Sequence, residues 1–440
     1  MKTNSGKESP SFIYSLRLPL LSAILSIILI GSCGDKTVQN GEVQVIDLES
    51  VIGSGRVVNL SEVADDIRYV ALETTDSSLI GVFPTVFYEN ERIYVLSMRV
   101  IKVFDKDGKY LFTFDKRGRG PMEYTSPRKI VIEPESGDIT IIVNSADESK
   151  ILTYDRDGNY LNTKFLPILT ETKLDITTKI SDNFYVASVS PASKIELDFY
   201  AVAFDSLSNL LFKAPKPLIP EYEDDKISIT SIGIDKPSGE STLFFNPAPI
   251  IYKFDDNARL VTGVNDTIFN LNSKLEYSAL FAINYGKYKN VSKDRGTIDE
   301  IDGKHVTLLR NYFIESKENI LLKFNLRGFA HEPYEVNMET ARGVNVIKRR
   351  DCYALFNKST GLLTLLNLPI ANNQGFMDDI MMGPPFLPTA ISSRFDAISI
   401  HSASSIIEHA ETNSTSGELA KIVSKLNDTD NPVVSIASFK

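Results

Sequence analysis

The chain has 440 residues, of which 42% are apolar and 24% charged, so it can form a sizeable core, and this composition argues against wholesale disorder. Its net charge is −10, and because an acidic body repels phosphate backbones, no nucleic-acid partner is expected. Trp is absent, so any carbohydrate platform has to be built on Tyr or Phe.

An uncharged apolar run, Leu18 to Ile30, follows positive residues near the start of the chain. Its thirteen residues form about 20 Å of helix, shorter than the ~30 Å hydrocarbon core of a bilayer. That length fits the apolar region of a cleavable export signal. The sequence Ile30-Gly31-Ser32-Cys33 resembles the lipobox of bacterial lipoproteins, in which the cysteine is lipidated and becomes the first residue of the mature protein.

We therefore expect residues 1–32 to be a lipoprotein signal peptide and Cys33 to be the lipidation site. The alternatives are an ordinary signal peptide with an incidental cysteine, and a transmembrane anchor. Residues 33–44 are polar and predict a flexible tether. The expected location is the cell envelope, with a lipid anchor in the membrane; the outer membrane is expected, on its periplasmic or its surface face.

A repeat with a 50-residue spacing marks the rest of the chain. The segment 101–111 recurs at 151–161, more weakly at 202–211, and most faintly at 251–255. Each copy predicts a strand, a turn at Asp-Gly and a second strand, because glycine supplies the positive φ and Asp or Asn caps the turn. Further strands are predicted at 92–96, 129–132, 138–143, 182–187, 319–324 and 353–356.

Units of about 40–50 residues holding four short strands are typical of β-propeller blades. Gly118, Gly120, Tyr124 and Pro127 resemble the opening of an NHL-type repeat. The segment 45–440 resembles the six-bladed propeller lipoproteins of Bacteroidetes, which implies an all-β six-bladed propeller with four-stranded antiparallel blades in a single domain. No general activity is established for that family, so the resemblance implies fold and location rather than chemistry.

The two ends of the propeller are predicted to meet in one blade, because a propeller protects its sheet edges by ring closure. Arg68–Glu73 and Val433–Phe439 are the candidate closing strands. Before the last strand, Thr415 and Glu418 resemble a capping box. The residues Leu419, Ile422, Val423 and Leu426 then fall on one helical face, which predicts a short C-terminal helix on the outer rim.

No catalytic motif stands out in the sequence. The Asp-Lys-Asp-Gly segment at 105–108 and its copy at 155–158 depart from a calcium loop, which favours hairpin turns. His331 lacks the second histidine of a zinc helix, and Pro333 breaks that helix. Asp378 and Asp379 could act as acid and base, although a solvated loop is the simpler interpretation. Cys352 is interpreted as a small core residue. No metal and no cofactor are expected.

One basic loop is a candidate ligand site. It lies where an outer strand connects to the next inner strand, a place where propellers commonly bind ligands. Arg117, Arg119, Glu123 and Tyr124 could contact an anionic or sugar ligand there, since Arg forms bidentate contacts. The alternative is a solvated connecting loop.

The sequence predicts a non-enzymatic binding module whose ligand is a glycan, a peptide or an envelope protein. The alternative is a propeller hydrolase or lyase acting on glycan or lactone-like substrates, whose scattered active site a sequence motif does not reveal. The side chains around the central channel would distinguish these two functions.

Overall fold

The computed structural model describes residues 43–82, 84–125, 127, 129–144, 149–167, 172–181, 184–191, 197–215, 249–261, 266–289, 306–340 and 343–440. Cys33, the apolar run before it and His305 lie outside the described residues. Within the described part of the chain, neither helix has the length and apolar character that crossing a bilayer requires. Strands and helices are numbered below in chain order.

Two strands precede the first complete sheet, β1 (Gln44–Asp47) and β2 (Ala64–Ala71). Blade one consists of β3 (Thr85–Glu89), β4 (Arg92–Ser97), β5 (Val100–Asp105) and β6 (Tyr110–Phe114). Blade two consists of β7 (Lys129–Ile132), β8 (Ile139–Asn144), β9 (Ser149–Tyr154) and β10 (Tyr160–Phe165). Blade three consists of β11 (Thr172–Ser181), β12 (Phe184–Pro191), β13 (Phe199–Asp205) and β14 (Leu210–Pro215).

Blade four consists of β15 (Ile250–Phe254), β16 (Asn257–Val261), β17 (Thr267–Asn272) and β18 (Tyr277–Asn284). Blade five consists of β19 (Thr307–Glu315), β20 (Asn319–Asn325), β23 (Asp351–Asn357) and β24 (Leu363–Leu365), with the ribbon β21 (Tyr334–Thr340) and β22 (Gly343–Arg349) inserted. Blade six consists of β25 (Ala390–Ile391), β26 (Asp396–His401), β27 (Val433–Phe439) and β2.

The predicted all-β, six-bladed propeller with four-stranded antiparallel blades is confirmed. The first strand of each blade lies toward the axis, since β25 contacts β3 and β19, and β15 contacts β19 and β11. Large apolar side chains fill the space between neighbouring blades. Tyr94 and Phe114 of blade one, for example, pack with Ile130 and Tyr154 of blade two in one cluster.

Ring closure joins the two ends of the propeller in blade six. Strand β2 pairs antiparallel with β27, from Ala71 opposite Val433 to Ala64 opposite Phe439. β27 in turn pairs with β26, so it is an interior strand of its sheet. The two segments predicted to close the ring therefore do so.

The repeated Asp-Gly segments form the turn between the third and fourth strands of their blades. Asp105 Oδ1 accepts hydrogen bonds from the N–H groups of Asp107 (3.0 Å) and Lys109 (2.9 Å). Gly108 has a φ of 86° and Gly158 a φ of 87°, as such a turn requires. The copy assigned to 251–255 is wrong in phase, because that segment is the first strand of blade four and not its third.

A strap, defined as residues 44–63, follows the outer rim before β2 begins. Strand β1 pairs in parallel with β18, so blade four has a fifth strand. Arg56 then exchanges backbone hydrogen bonds with blade five, donating to Leu365 O (3.1 Å) and accepting from Asn367 N (2.9 Å). The strap thus connects the outer edges of blades four and five before the chain enters blade six.

Two helices connect β26 to β27, α1 (Ala403–Thr412) and α2 (Gly417–Val423). The predicted helix corresponds to α2, but its cap is Ser416, whose Oγ accepts the N–H of Leu419 at 3.2 Å, rather than Thr415. Leu419 is buried in the cluster between blades five and six, and Ile422, Val423 and Leu426 pack against it. This packing holds α2 beside the outer strand of blade six.

Candidate functional site

The basic loop predicted from the sequence leaves two of its four residues facing solvent. Arg117 and Arg119 are exposed. Arg117 forms a bidentate ion pair with Asp115, at 2.6 Å and 2.8 Å, which raises the pKa of the guanidinium and lowers that of the carboxyl. Glu123 Oε2 accepts the N–H of Gly120 at 2.8 Å and thereby shapes the loop.

Tyr124 does not face a ligand, which corrects the expectation for this residue. Its ring is 1% exposed and stacks on Phe114 at a centroid distance of 6.4 Å. The hydroxyl donates to the carbonyl of Arg99 at 3.1 Å, and burial raises its pKa to about 12. Tyr124 is therefore a core residue that anchors the loop between blades one and two.

The carboxylates considered as an acid–base pair are both engaged structurally. Asp378 is 3% exposed, not solvated, and accepts the hydroxyl of Tyr69 at 2.7 Å and the backbone N–H of Gly383 at 2.9 Å. Asp379 accepts the N–H and the hydroxyl of Ser61, at 3.0 Å and 2.6 Å. Asp378 thus organises its own loop, and Asp379 fastens the strap to that loop.

The histidines that the structure describes contact other groups of the protein, and the described cysteine is buried. His331, His401 and His409 contact Asn367, Ser435 and the carbonyl of Met382 respectively. Cys352 is buried, and burial raises the pKa of its thiol to about 12, which supports its interpretation as a core residue. In the described ranges, no three His, Cys, Asp or Glu side chains are grouped so that they could hold a metal ion.

A buried polar network lies between blades four and five. The side chain of Glu315 is 1% exposed and accepts hydrogen bonds from Tyr252 Oη (2.9 Å), Arg259 Nη2 (3.2 Å) and Lys358 Nζ (3.2 Å). Burial lowers the pKa of Lys358 and raises that of Tyr252 well above its usual range. Arg259 Nε donates a fourth hydrogen bond, to Glu315 Oε2 at 3.2 Å, so partners from two blades occupy all four lone pairs of the carboxylate.

An open site of suitable size lies on the outer rim of blade six. It is a groove with a volume of about 630 Å³, within the range of ligand sites. One wall is the segment 68–74, which contains the second half of β2. The opposite wall is α2 and the turn after it, which contribute Lys421, Ile422, Lys425 and Leu426. We call this feature the β2–α2 groove.

Main-chain groups of an edge strand line the groove. Leu72 N donates to Pro432 O at 3.3 Å, which fixes the ladder phase between β2 and β27. Because antiparallel hydrogen bonds alternate, Val70 and Arg68 also point their N–H groups toward β27, whereas Tyr69 and Ala71 point theirs away from it. β2 is the outermost strand of its sheet, so this second set of groups faces the groove edge, where Gly108 of blade one packs against the carbonyl of Ala71.

The charges of the groove are unevenly partnered. Its acidic side chains have partners in the protein: Glu73 accepts the N–H of Tyr110 at 2.8 Å, Asp430 accepts that of Asn427 at 2.8 Å, and Asp107 forms an ion pair with Lys106 at 2.9 Å. Lys421 and Lys425 are exposed on the helical wall. Among the residues that the structure describes, neither ammonium group has an ion-pair partner. The groove is therefore lined by charges of both signs, three cations (Arg68, Lys421 and Lys425) and three carboxylates (Glu73, Asp107 and Asp430).

Both walls of the groove are predicted from the sequence, but separately. The closing strand and the rim helix are each predicted from their patterns, and Lys421 and Lys425 lie four residues apart in that helix region. What the sequence does not show is that α2 packs beside β2 rather than elsewhere on the rim, because that depends on the burial of Leu419 between blades five and six.

Residues 43–438 match the model of a protein family described as Domain of unknown function (DUF4934). The chain belongs to the DUF4934 family. No curated protein matches this DUF4934 propeller in sequence.

Solved structures resemble the DUF4934 propeller in fold. A protein of Bacteroides fragilis described as exported superposes with a TM-score of 0.57 at 15% identity, covering 90% of this chain and 99% of that one. A DUF4221 member from Bacteroides vulgatus gives 0.44 at 10% identity, with 86% and 97% covered. A virginiamycin B lyase from Staphylococcus aureus gives 0.33 at 9% identity, with 84% and 99% covered. At 15% identity, the likeness to the Bacteroides fragilis protein shows the fold alone.

Proposed function

We propose that this DUF4934 propeller is a lipid-anchored, non-enzymatic binding module of the cell envelope that holds a protein or peptide partner in the β2–α2 groove. The observation that carries the proposal is the groove itself: about 630 Å³, bounded by an unpaired strand edge and a helix. Export is supported by the apolar run before Cys33 and by the Bacteroides fragilis relative that is described as exported.

The lining of the groove favours a peptide over a glycan. Sugar platforms use exposed aromatic faces, but the aromatic residue of the groove, Tyr69, is 6% exposed, and its hydroxyl is engaged by Asp378. The groove instead presents main-chain groups of β2 between charged side chains of both signs, a combination that matches how extended peptides are recognised. The hydrolase or lyase alternative stays a prediction that no described geometry favours, and Arg117 and Arg119 stay a second candidate binding surface.

In-cell crosslinking tests the proposal at its site. A photoreactive amino acid at position 425 should capture a protein partner, whereas the same group at position 274, on the exposed turn of blade four, should not capture it. The captured partner is then purified, and its affinity is measured for the full chain and for its variants.

Charge reversal separates the two candidate surfaces. The double variant Lys421→Glu, Lys425→Glu should weaken the captured partner's binding at least about tenfold, because each reversal replaces an attraction by a repulsion. The control Lys274→Glu, Lys348→Glu, on blade four and on the ribbon of blade five, should bind normally. If Arg117→Ala, Arg119→Ala removes binding and the groove variant does not, the binding site is the basic loop and the proposed groove is wrong.

A further inference from the structure

The ribbon of blade five is a two-stranded sheet that stands outside the six blades. Among the strands that the structure describes, β21 and β22 pair only with each other, from Tyr334 opposite Arg349 to Thr340 opposite Gly343. An isolated pair of strands is marginally stable in water, and independent stability takes three or more strands with an apolar face. The size of the ribbon therefore favours a further strand on one of its edges.

Apolar side chains of the ribbon face solvent. Val344 and Val346 on β22 are 59% and 60% exposed, and Val336 on β21 is 42% exposed. Residues two apart in a strand lie on the same face, so Val344 and Val346 form an apolar strip with Lys348 at its end. Exposed edge strands are usually protected by charges, prolines or bulges. The charged residues of β22, Lys348 and Arg349, lie at one end only, so the centre of this edge is unprotected.

One hydrogen bond at the base of the ribbon shows which main-chain groups point outward. The N–H of Glu335 donates to Asn372 Oδ1 at 3.0 Å, so it points away from β22. Antiparallel partners share this orientation, so Lys348, opposite Glu335, points its N–H and C=O away from β21. Val346 and Val344 do the same, because the orientation alternates along a strand. Asn372 thus covers the base of β21's free edge, whereas, in the described part of the chain, Val344, Val346 and Lys348 have no hydrogen bond outside the ribbon.

The outward groups of β22 are self-complementary. Val346 is the middle residue of Gly343–Arg349, so a second β22 running antiparallel overlaps over all seven residues only when Val346 lies opposite its own copy. In that register Val346 exchanges two hydrogen bonds with its copy, and Val344 exchanges two with the copy's Lys348. The two lysines then lie four residues apart, about 13 Å along the strands, so no cation is opposite another.

We infer that the ribbon is a dimerisation element. β22 pairs antiparallel with β22 of a second copy of this chain, with Val346 at the two-fold axis, and the two ribbons form one four-stranded sheet. Pairing places Val346 beside its copy and Val344 beside the aliphatic stem of the copy's Lys348, which covers the exposed strip. Such a two-fold contact is closed, as in the commonest class of oligomer. This surface is separate from the β2–α2 groove, and the inference does not rest on the proposed binding function.

A cysteine at the axis tests the register. Val346→Cys in the full chain in detergent should form an intermolecular disulfide under mild oxidation, because opposed Cα atoms of a hydrogen-bonded pair lie about 5.5 Å apart, within disulfide reach. Val336→Cys is the matched control, since it is exposed on the same ribbon but lies three strand spacings, about 14 Å or more, from its copy. It should run as a monomer on a non-reducing gel. The native Cys352 is buried and should give no background.

Self-association measures the strength of the same edge. Sedimentation velocity of the full chain in density-matched detergent should show a concentration-dependent equilibrium between monomer and dimer. Val346→Pro removes an outward N–H that the ribbon itself does not use, and it should weaken dimerisation at least about tenfold, because the two-fold symmetry removes two hydrogen bonds. Val346→Thr keeps the N–H and the β-branched shape, so it should dimerise within about threefold of the wild type.

Three results would overturn the inference. A chain that stays monomeric across the concentration series has no second copy on β22, even if a different protein binds the ribbon. Equal crosslinking of Val336→Cys and Val346→Cys would indicate random collisions rather than paired strands. A dimer or larger oligomer whose strength Val346→Pro leaves unchanged forms through another surface. None of these results bears on the groove, which the crosslink at position 425 tests separately.

Discussion

His401 shows how a single side chain couples the rim of blade six to pH. Its Nε2 lies 3.0 Å from the hydroxyl of the buried Ser435, and its ring is 6.2 Å from that of Tyr69, which lines the groove. Burial, with a smaller contribution from His409, lowers the pKa of the imidazole to about 4. The folded protein therefore holds this ring neutral at pH values where the unfolded chain protonates it.

A loss of stability on acidification follows from that shift. An unfolded histidine has a pKa near 6.5, so the contribution of His401 is complete above that pH and is lost as the pH falls toward about 4. For this partly buried ring we expect a loss of about 2 kcal/mol. Denaturant unfolding at several pH values measures it. His401→Gln should flatten the dependence, whereas His409→Gln should leave most of it; an unchanged slope in His401→Gln would contradict the assignment.

Among the elements, β27 is the one on which blade six depends. It pairs with β26 on one side and β2 on the other. Val433, Val434 and Ala437 are fully buried on it, so both of its faces pack in the core. The ribbon β21–β22 is the opposite case, because its exposed valines include Val344 and Val346, at 59% and 60%.

Deletions at these two elements should differ sharply. Removing residues 431–440 takes away the strand between β26 and β2, and should abolish the cooperative thermal transition, since an open ring exposes two sheet edges. Replacing residues 335–348 of the ribbon by a short glycine–serine link should leave the melting temperature within a few degrees. A truncated chain that melts like the wild type would show that ring closure is dispensable.

Sequence patterns predict elements well where the local chemistry repeats. Strand β7 was predicted with its observed bounds, and the turns at Asp105 and Asp155 follow from side-chain capping. Blade four shows where this fails. Its equivalent turn is capped by Asn272, whose Oδ1 accepts from Lys274 N and Glu276 N at 3.0 Å each, and Leu275 occupies the glycine position with a φ of 65°.

The presence of Asn272 and Leu275 in place of Asp and Gly explains why the repeat was assigned to the wrong strand at 251–255. Without the Asp-Gly signature, the fixed 50-residue spacing selects the strand β15, which has a similar Tyr-x-Phe-Asp sequence by coincidence. The groove was not predictable for a different reason. Its walls come from segments about 350 residues apart, and their contact depends on packing rather than on any local pattern.

For the molecule as a whole, Cys33, the expected lipid anchor, precedes β1 in the sequence. The first 32 residues carry three cations and one anion, so removing them leaves a net charge of −12. An acidic body gains no attraction from anionic lipid headgroups. Membrane attachment should therefore depend on the lipid.

Changing Cys33 to Ser should release the protein from the membrane in folded form. Fractionation shows the release, and circular dichroism of the soluble fraction shows the retained β-structure. Cys352→Ser is the matched control, because this thiol is buried in the propeller and the variant should remain membrane-bound. Cys33→Ser protein that stays in the membrane fraction would show that another part of the chain holds it there.

The pairing of β2 with β27 also determines when the protein can fold. Ala64 and Phe439 are partners, so blade six cannot form until the chain has been synthesised as far as residue 439. Contacts of such sequence separation are slow to form, because the entropy of closing a long loop precedes any gain from pairing. Until then β2 has two open edges instead of one. The nascent protein is therefore most exposed to misassembly at the strand that lines the β2–α2 groove once the protein has folded.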